Sequence, residues 1–157
     1  MIIETVQIGR LPRRYAGEEP PSMLEMESDA QVVSVGVVSY DMVVQRFARE
    51  LLVRGSIAVD LEVLCAKCGE RCKQTVRCID FARSYALASG NELIDLTPDM
   101  REAIFLAFPM NFTCSEDCRG LCARCGVNLN KAPCICNDLQ RTSAWGALDQ
   151  WKKLDGV

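Results

Sequence analysis

The chain has 157 residues, 49% apolar and 25% charged, with a formal net charge of −3. That length suits about one domain burying roughly 68–70% of its unfolded surface, and the composition is ordinary globular usage, which argues against disorder of the whole chain. Ten cysteines and no histidine exclude a histidine-based catalytic triad, a histidine general base and any zinc site with a histidine ligand. No apolar run approaches the ~20 residues that cross a bilayer, and mild acidity argues against a general nucleic-acid glue.

Residues 2–8 alternate weakly and fit a short strand. Residues 10–30 hold Pro12, Gly17, Pro20 and Pro21 and read as a long loop or lid, with Met23, Leu24 and Met26 packed onto the body. The β-branched run Val32, Val33, Val35, Val37 and Val38 predicts a strand that residues 42–47 extend. Leu51, Val53, Gly55, Ile57, Val59, Leu61 and Val63 recur with a period of two, leaving Arg54, Asp60 and Glu62 on the other face. Lys73 to Leu87 fits a return strand. No helical crossover separates these runs, so they pair antiparallel.

The pattern then changes to a helical period. Thr97 reads as an N-cap, Pro98 as the first helical residue and Asp99 as a first-turn acid. Met100, Ala103, Ile104, Ala107 and Phe108 give the buried stripe, and Pro109 ends the helix. Residues 112–137 are short, turn-rich and cysteine-rich. Thr142 or Ser143 can cap a last helix near 142–154, with Trp145, Leu148 and Trp151 as its stripe. The expected fold is α+β over 1–157 as a single domain. It comprises a loop-rich segment 1–30, an antiparallel β-sheet body, two helices and a C-terminal cysteine-rich zinc-binding module at 112–137.

The opening Met1-Ile2-Ile3-Glu4-Thr5 has no basic region and no apolar stretch of the secretory kind, so the expected setting is a reducing cytoplasm, where clustered cysteines bind metal more often than they form disulfides. Cys65-Ala66-Lys67-Cys68-Gly69 and Cys122-Ala123-Arg124-Cys125-Gly126 repeat one pattern. Two intervening residues let a tight turn present both sulfurs to one ion, and the following glycine tolerates positive φ. Cys134 and Cys136 add two close thiols. Cys114 and Cys118 stand four apart, so one helical turn would place both on one face. A tetrahedral site takes four ligands, and the simplest partition has two sites. One is Cys122, Cys125, Cys134 and Cys136. The other is Cys65, Cys68, Cys114 and Cys118. Cys72 and Cys78 are left over, and one zinc rather than two stays open. Closed four-thiolate coordination leaves no open position, so the metal is expected to be structural. A redox dithiol is the rival reading, but that motif wants a βαβ setting absent here.

Residues 65–90 set Lys67, Arg71, Lys73, Arg77 and Arg83 against Glu70 and Asp80, a net of +3, whereas residues 1–30 and 91–110 are each −3. Lys67, Arg71, Lys73, Arg119 and Arg124 are therefore candidate phosphate contacts. The competing account is local neutralisation of thiolate–zinc charge.

In order along the chain come Leu51-x-Val53-x-Gly55, Cys65-x-Lys67-Cys68, Asp95-Leu96-Thr97-Pro98, Arg101-Glu102, Phe108-Pro109-Met110, the run from Cys114 through Cys118-Arg119-Gly120-Leu121-Cys122 to Asn128-Leu129-Asn130, and Cys134-x-Cys136. Together they resemble the YceD family, the large ribosomal RNA subunit accumulation proteins, over about residues 50–155. The resemblance implies a cytoplasmic bacterial or plastid protein, with no established enzymatic activity, needed for large-subunit ribosomal RNA to accumulate. Lys67 stands where an arginine is common, and Cys72 and Cys78 are extra. The expected function is non-enzymatic support of ribosome biogenesis through binding ribosomal RNA, or a large-subunit assembly or processing protein. The alternative is a zinc-thiolate protein-interaction or redox-sensing module.

Overall fold

The alternating run from Leu51 to Val63 forms the strand around which the rest assembles. The structure, a computed structural model, describes residues 1–9, 11–26, 31–88 and 92–136. Its strands are β1 (Ile2–Glu4), β2 (Arg13–Glu19), β3 (Val32–Phe47), β4 (Glu50–Leu64), β5 (Arg71–Ala86) and β6 (Leu93–Asp95), followed by the helix α1 (Thr97–Ala107). Short 3₁₀ turns occupy Thr5–Gln7 and Pro21–Leu24. The chain divides into two compact units, Met1–Cys118 and Arg119–Val157, and all these elements belong to the first.

Four strands form an antiparallel sheet in the order β2-β3-β4-β5, and β1 pairs with β6 in a second, two-stranded sheet. The inward positions of β4 are buried as their period predicts: Leu51, Val53, Ile57, Val59, Leu61 and Val63. Val38, Met42 and Val44 from β3 and Val76 and Phe81 from β5 join them. Met100, Ala103 and Ile104 of α1 cover this face, with Leu24 and Phe112. Burying such side chains is worth roughly 1.5–3 kcal/mol each, which is what holds α1 to one face of the sheet. Residue pairs Gly55–Phe81 and Ile57–Cys78 bracket a shift in register. Two β5 residues, Ile79 and Asp80, therefore face one β4 residue, a bulge that turns Ile79 out into solvent.

Three expectations need correction. The stretch 10–30 is not a loop throughout, because Arg13–Glu19 is an edge strand paired with Val38–Val44 of β3. Its charged, glycine-containing sequence carries little strand signal of its own, and β3 supplies the hydrogen-bonding template. Met23 and Leu24 are buried as expected, and Met26 packs against the core. Thr97 is the first residue of α1, not its cap. Leu96 occupies the cap position without a side-chain bond, and Asp95 Oδ1 instead accepts from the Thr97 N–H at 2.9 Å. The segment carrying Cys114 and Cys118 is a turn rather than a helix, closed by the Cys118 N–H donating to the Ser115 carbonyl at 3.3 Å. Among the described residues α1 is the one α-helix, and the expected helix near 142–154 lies outside them.

Candidate metal centres

Both C-x-x-C-G motifs fold into the same knuckle. The Cys65 N–H donates to the Glu70 carbonyl at 2.9 Å, and the Cys122 N–H to the Val127 carbonyl at 2.8 Å. The Gly69 N–H returns to the Cys65 carbonyl at 2.8 Å, and the Gly126 N–H to the Cys122 carbonyl at 2.9 Å. Gly69 and Gly126 take φ of 70° and 72°, the left-handed conformation that side chains other than glycine resist.

The first knuckle begins where β4 ends. Its partner thiols arrive from the chain beyond α1 and are fixed there by three bonds. The Ala66 N–H donates to the carbonyl of buried Phe112 at 2.8 Å, the Gln74 amide to the Thr113 carbonyl at 3.0 Å, and the Lys67 ammonium to the Glu116 carbonyl at 3.4 Å. Cys65, Cys68, Cys114 and Cys118 thereby come together, all four sulfurs within 4.8 Å of one another. Cys65–Cys118 and Cys68–Cys114 are each 3.8 Å apart. Cys72 packs against this group, whereas Cys78 stands away from it beside Asp80.

The second group, Cys122, Cys125, Cys134 and Cys136, meets the same 4.8 Å limit within the second unit. Cys125–Cys134 is 3.6 Å and Cys122–Cys134 is 3.2 Å. A short antiparallel bridge pairs Leu121 with Asn128, and the Leu129 N–H donates to the Gly120 carbonyl at 2.9 Å. Asn128 and Asn130 pin the turn. The Asn128 Oδ1 accepts from the Asn130 N–H at 3.0 Å, and the Asn130 Oδ1 accepts from the Arg119 N–H at 2.8 Å. Reasoning from sequence assigned neither asparagine a role, although asparagine's capacity to bond nearby backbone groups is the signal that marks them.

All ten cysteines are free thiols. Four thiolates around zinc at ~2.3 Å define a tetrahedron with edges of about 3.8 Å, which the separations in the first group match and those in the second approach from below. Sulfurs ligating separate irons of an iron–sulfur cluster stand much further apart, so each group fits a single ion. The electrostatics ask for one as well. Burial would raise the Cys65 thiol, yet backbone N–H groups of Cys114, Cys68 and Lys67 bring it down to about 6. The N–H groups of Cys125 and Arg124 bring Cys122 down to about 6. Cys114 is pushed up to about 12, first by the Cys118 thiol and then by burial, and Cys136 to about 12 by Cys134 and Cys125. Within each group one thiol ionises readily and another is held protonated by its neighbours. Ionising all four calls for a cation among them.

The candidate phosphate contacts are divided between the units. Lys67, Arg71 and Lys73 are exposed on the first, where Arg71 lies 4.0 Å from Glu62 and Lys73 is in register with the same residue. Arg119 and Arg124 are exposed on the second.

A small β-sheet protein with two four-cysteine groups that could each hold a metal ion is thus defined by structure. Residues 83–152 match the family model described as large ribosomal RNA subunit accumulation protein YceD, which shows over that stretch the resemblance read from the motifs; the motifs at Leu51–Gly55 and Cys65–Cys68 lie before it. It is 33% identical over 68 residues to a chloroplastic large ribosomal RNA subunit accumulation protein YCED homolog of Arabidopsis thaliana, covering 41% of this chain and 21% of that protein. A homolog of the same description from Zea mays is 32% identical over 59 residues, 37% of this chain and 20% of that one. The chain therefore spans about a fifth of these chloroplastic relatives. An uncharacterized protein of Mycobacterium tuberculosis is 25% identical over 155 residues, 82% of this chain and 72% of its own. No solved structure matches the chain. No helix among the described residues is long and apolar enough to cross a membrane.

Proposed function

We propose that this protein is a non-enzymatic factor that supports accumulation of large-subunit ribosomal RNA by binding, with two structural zinc ions shaping it. The observation that carries the reading is the YceD match over 83–152, which includes the second thiol group, together with the closed four-sulfur geometry of both groups. Four protein ligands leave zinc no position for a substrate or an attacking water, so its contribution is to fold rather than to chemistry. The names of the chloroplastic relatives point to large-subunit ribosomal RNA, and a reducing compartment, a bacterial cytoplasm or a plastid, is consistent with ten free thiols.

The binding reading is tested at the two cations flanking Glu62. Arg71→Gln with Lys73→Gln is expected to weaken affinity for large-subunit RNA and to flatten its dependence on salt, because a protein that neutralises fewer phosphates displaces fewer counterions. Zinc content is expected to stay unchanged. Unaltered RNA affinity across the salt series would overturn direct contact at these residues and favour a ribosomal or processing protein as partner.

A further inference from the structure

The two thiol groups are chemically alike but structurally unequal. In the first, Cys65, Cys68 and Cys118 are 2%, 4% and 7% exposed and Cys114 alone is exposed, Cys72 packs over the buried three, and a backbone bond ties the knuckle to Phe112 in the main core. In the second, none of the four cysteines is buried and Cys125 is exposed. Among the described residues of the second unit no apolar side chain is buried: Leu121 is 48% exposed and Ile135, between two ligands, is 98% exposed. Backbone bonds and the asparagine turn shape this stretch, but among the described residues no buried apolar cluster stands behind them, so a bound ion is what could hold it in one conformation.

From this asymmetry we propose that Cys122, Cys125, Cys134 and Cys136 form an oxidant-releasable zinc site, while the Cys65, Cys68, Cys114 and Cys118 site is permanent. The inference rests on the zinc reading above and goes beyond it by giving the two sites different tasks. The oxidant is a hydroperoxide such as hydrogen peroxide. Cys122 and Cys134, whose sulfurs stand 3.2 Å apart, are the reacting thiolates. One sulfur attacks a peroxide oxygen; the O–O bond breaks and the departing hydroxide takes a proton to become water. The second thiolate then attacks the resulting sulfenic acid, an S–S bond forms, and the released hydroxide takes a proton to become a second water. Two electrons pass from the sulfurs to the peroxide, and Zn2+ leaves because two of its four ligands no longer carry charge. Residues 119–136 then lose their fixed conformation while the first unit keeps its core. Reduction by a dithiol reverses the step.

The full-length protein, purified without a histidine tag and loaded with zinc, tests this with a hydrogen peroxide titration. A chromophoric chelator reads zinc release, mass spectrometry maps the disulfide, and amide NMR follows Gly120, Leu121, Val127 and Leu129 against Val53, Val59 and Met100. The expected result is one equivalent released at least tenfold faster than the other. The disulfide should lie among the last four cysteines, and only the first set of amide signals should be lost. Cys125→Ser should retain one zinc equivalent that peroxide releases slowly, with the core signals in place. Simultaneous loss of both equivalents, or earlier loss from the Cys65 site, overturns the proposal and leaves the structural-zinc reading standing. Protein that cannot be loaded with zinc in either site overturns both.

Discussion

Gly55 sits where β4 passes β3 so closely that a Cβ there would lie 2.1 Å from the Asp41 carbonyl oxygen and 2.7 Å from the Met42 Cα. Both obstacles are backbone and cannot rotate aside. Gly55→Ala should therefore cost roughly 3 kcal/mol, the upper end of overpacking effects, read as a lower urea midpoint. Gly69 and Gly126 are a different case, since nothing lies within 4 Å of a Cβ at either position and only the positive φ resists a side chain. Gly69→Ala and Gly126→Ala should each cost about 1–2 kcal/mol of backbone strain, confined to the knuckle concerned. Chelator competition should show weaker zinc retention at the altered site and unchanged retention at the other. The presence of glycine at the two knuckle positions was legible in the sequence because the motif is local. The demand on Gly55 was not, because it comes from a residue on another strand.

Among the elements, α1 is the joint between the sheet and the N-terminal segment. Arg101 donates to the Met23 carbonyl at 2.7 Å and pairs with Glu25 at 2.8 Å, which pins Met23 and Leu24 against the core. Arg101→Ala should cost about 1–2 kcal/mol, with faster amide exchange at residues 23–25 than in β4. From β5, Arg83 bonds both Asp99 and Glu102, and the Tyr85 hydroxyl donates to Asp99. The start of α1 carries a pH signature. Hydrogen bonds from the Thr97 side chain and N–H hold the Asp95 carboxyl below its usual range. A depressed carboxylate adds stability that is present above its unfolded pKa of about 3.9 and is lost as pH falls through the folded value. Asp95→Asn should therefore flatten the decline of stability with acid below about pH 4, while leaving the neutral-pH slope unchanged in a denaturation series. The helix itself was legible from its period of apolar residues and from Pro98 and Pro109, yet its cap was not. A threonine beside a proline reads as a cap, but Asp95 two residues earlier already satisfies the exposed amide.

For the protein in its entirety, metal and protons compete for the same sulfurs. Cys114 and Cys136 are pushed up to about 12 and must lose protons before they can ligate, so acidification favours the protonated, metal-free state. Zinc retention is expected to fall as pH drops from 7.5 towards 5, measured by release to a chelator that does not itself titrate in that range. Removing metal at neutral pH should leave the β-sheet circular dichroism and the cooperative unfolding of the first unit largely in place. Its hydrophobic core runs through β3, β4, β5 and α1.

Whatever depends on near neighbours along the chain was settled at the level of sequence. The period of β4 follows from one buried and one exposed face, and the knuckles follow from two cysteines and a glycine at fixed spacing. The YceD resemblance follows from the order of those motifs. Folding settled what depends on residues far apart. Arg13–Glu19 became a strand because β3 offers it an edge, and the three-residue β6 is a strand because β1 pairs with it. The inequality of the thiol groups is of the same kind. Spacing makes the two knuckles look equivalent, but the Cys65 knuckle is bonded to buried Phe112 and has three buried ligands, whereas no ligand of the second group is buried. Burial is a property of the assembled chain, and no local pattern of cysteines encodes it.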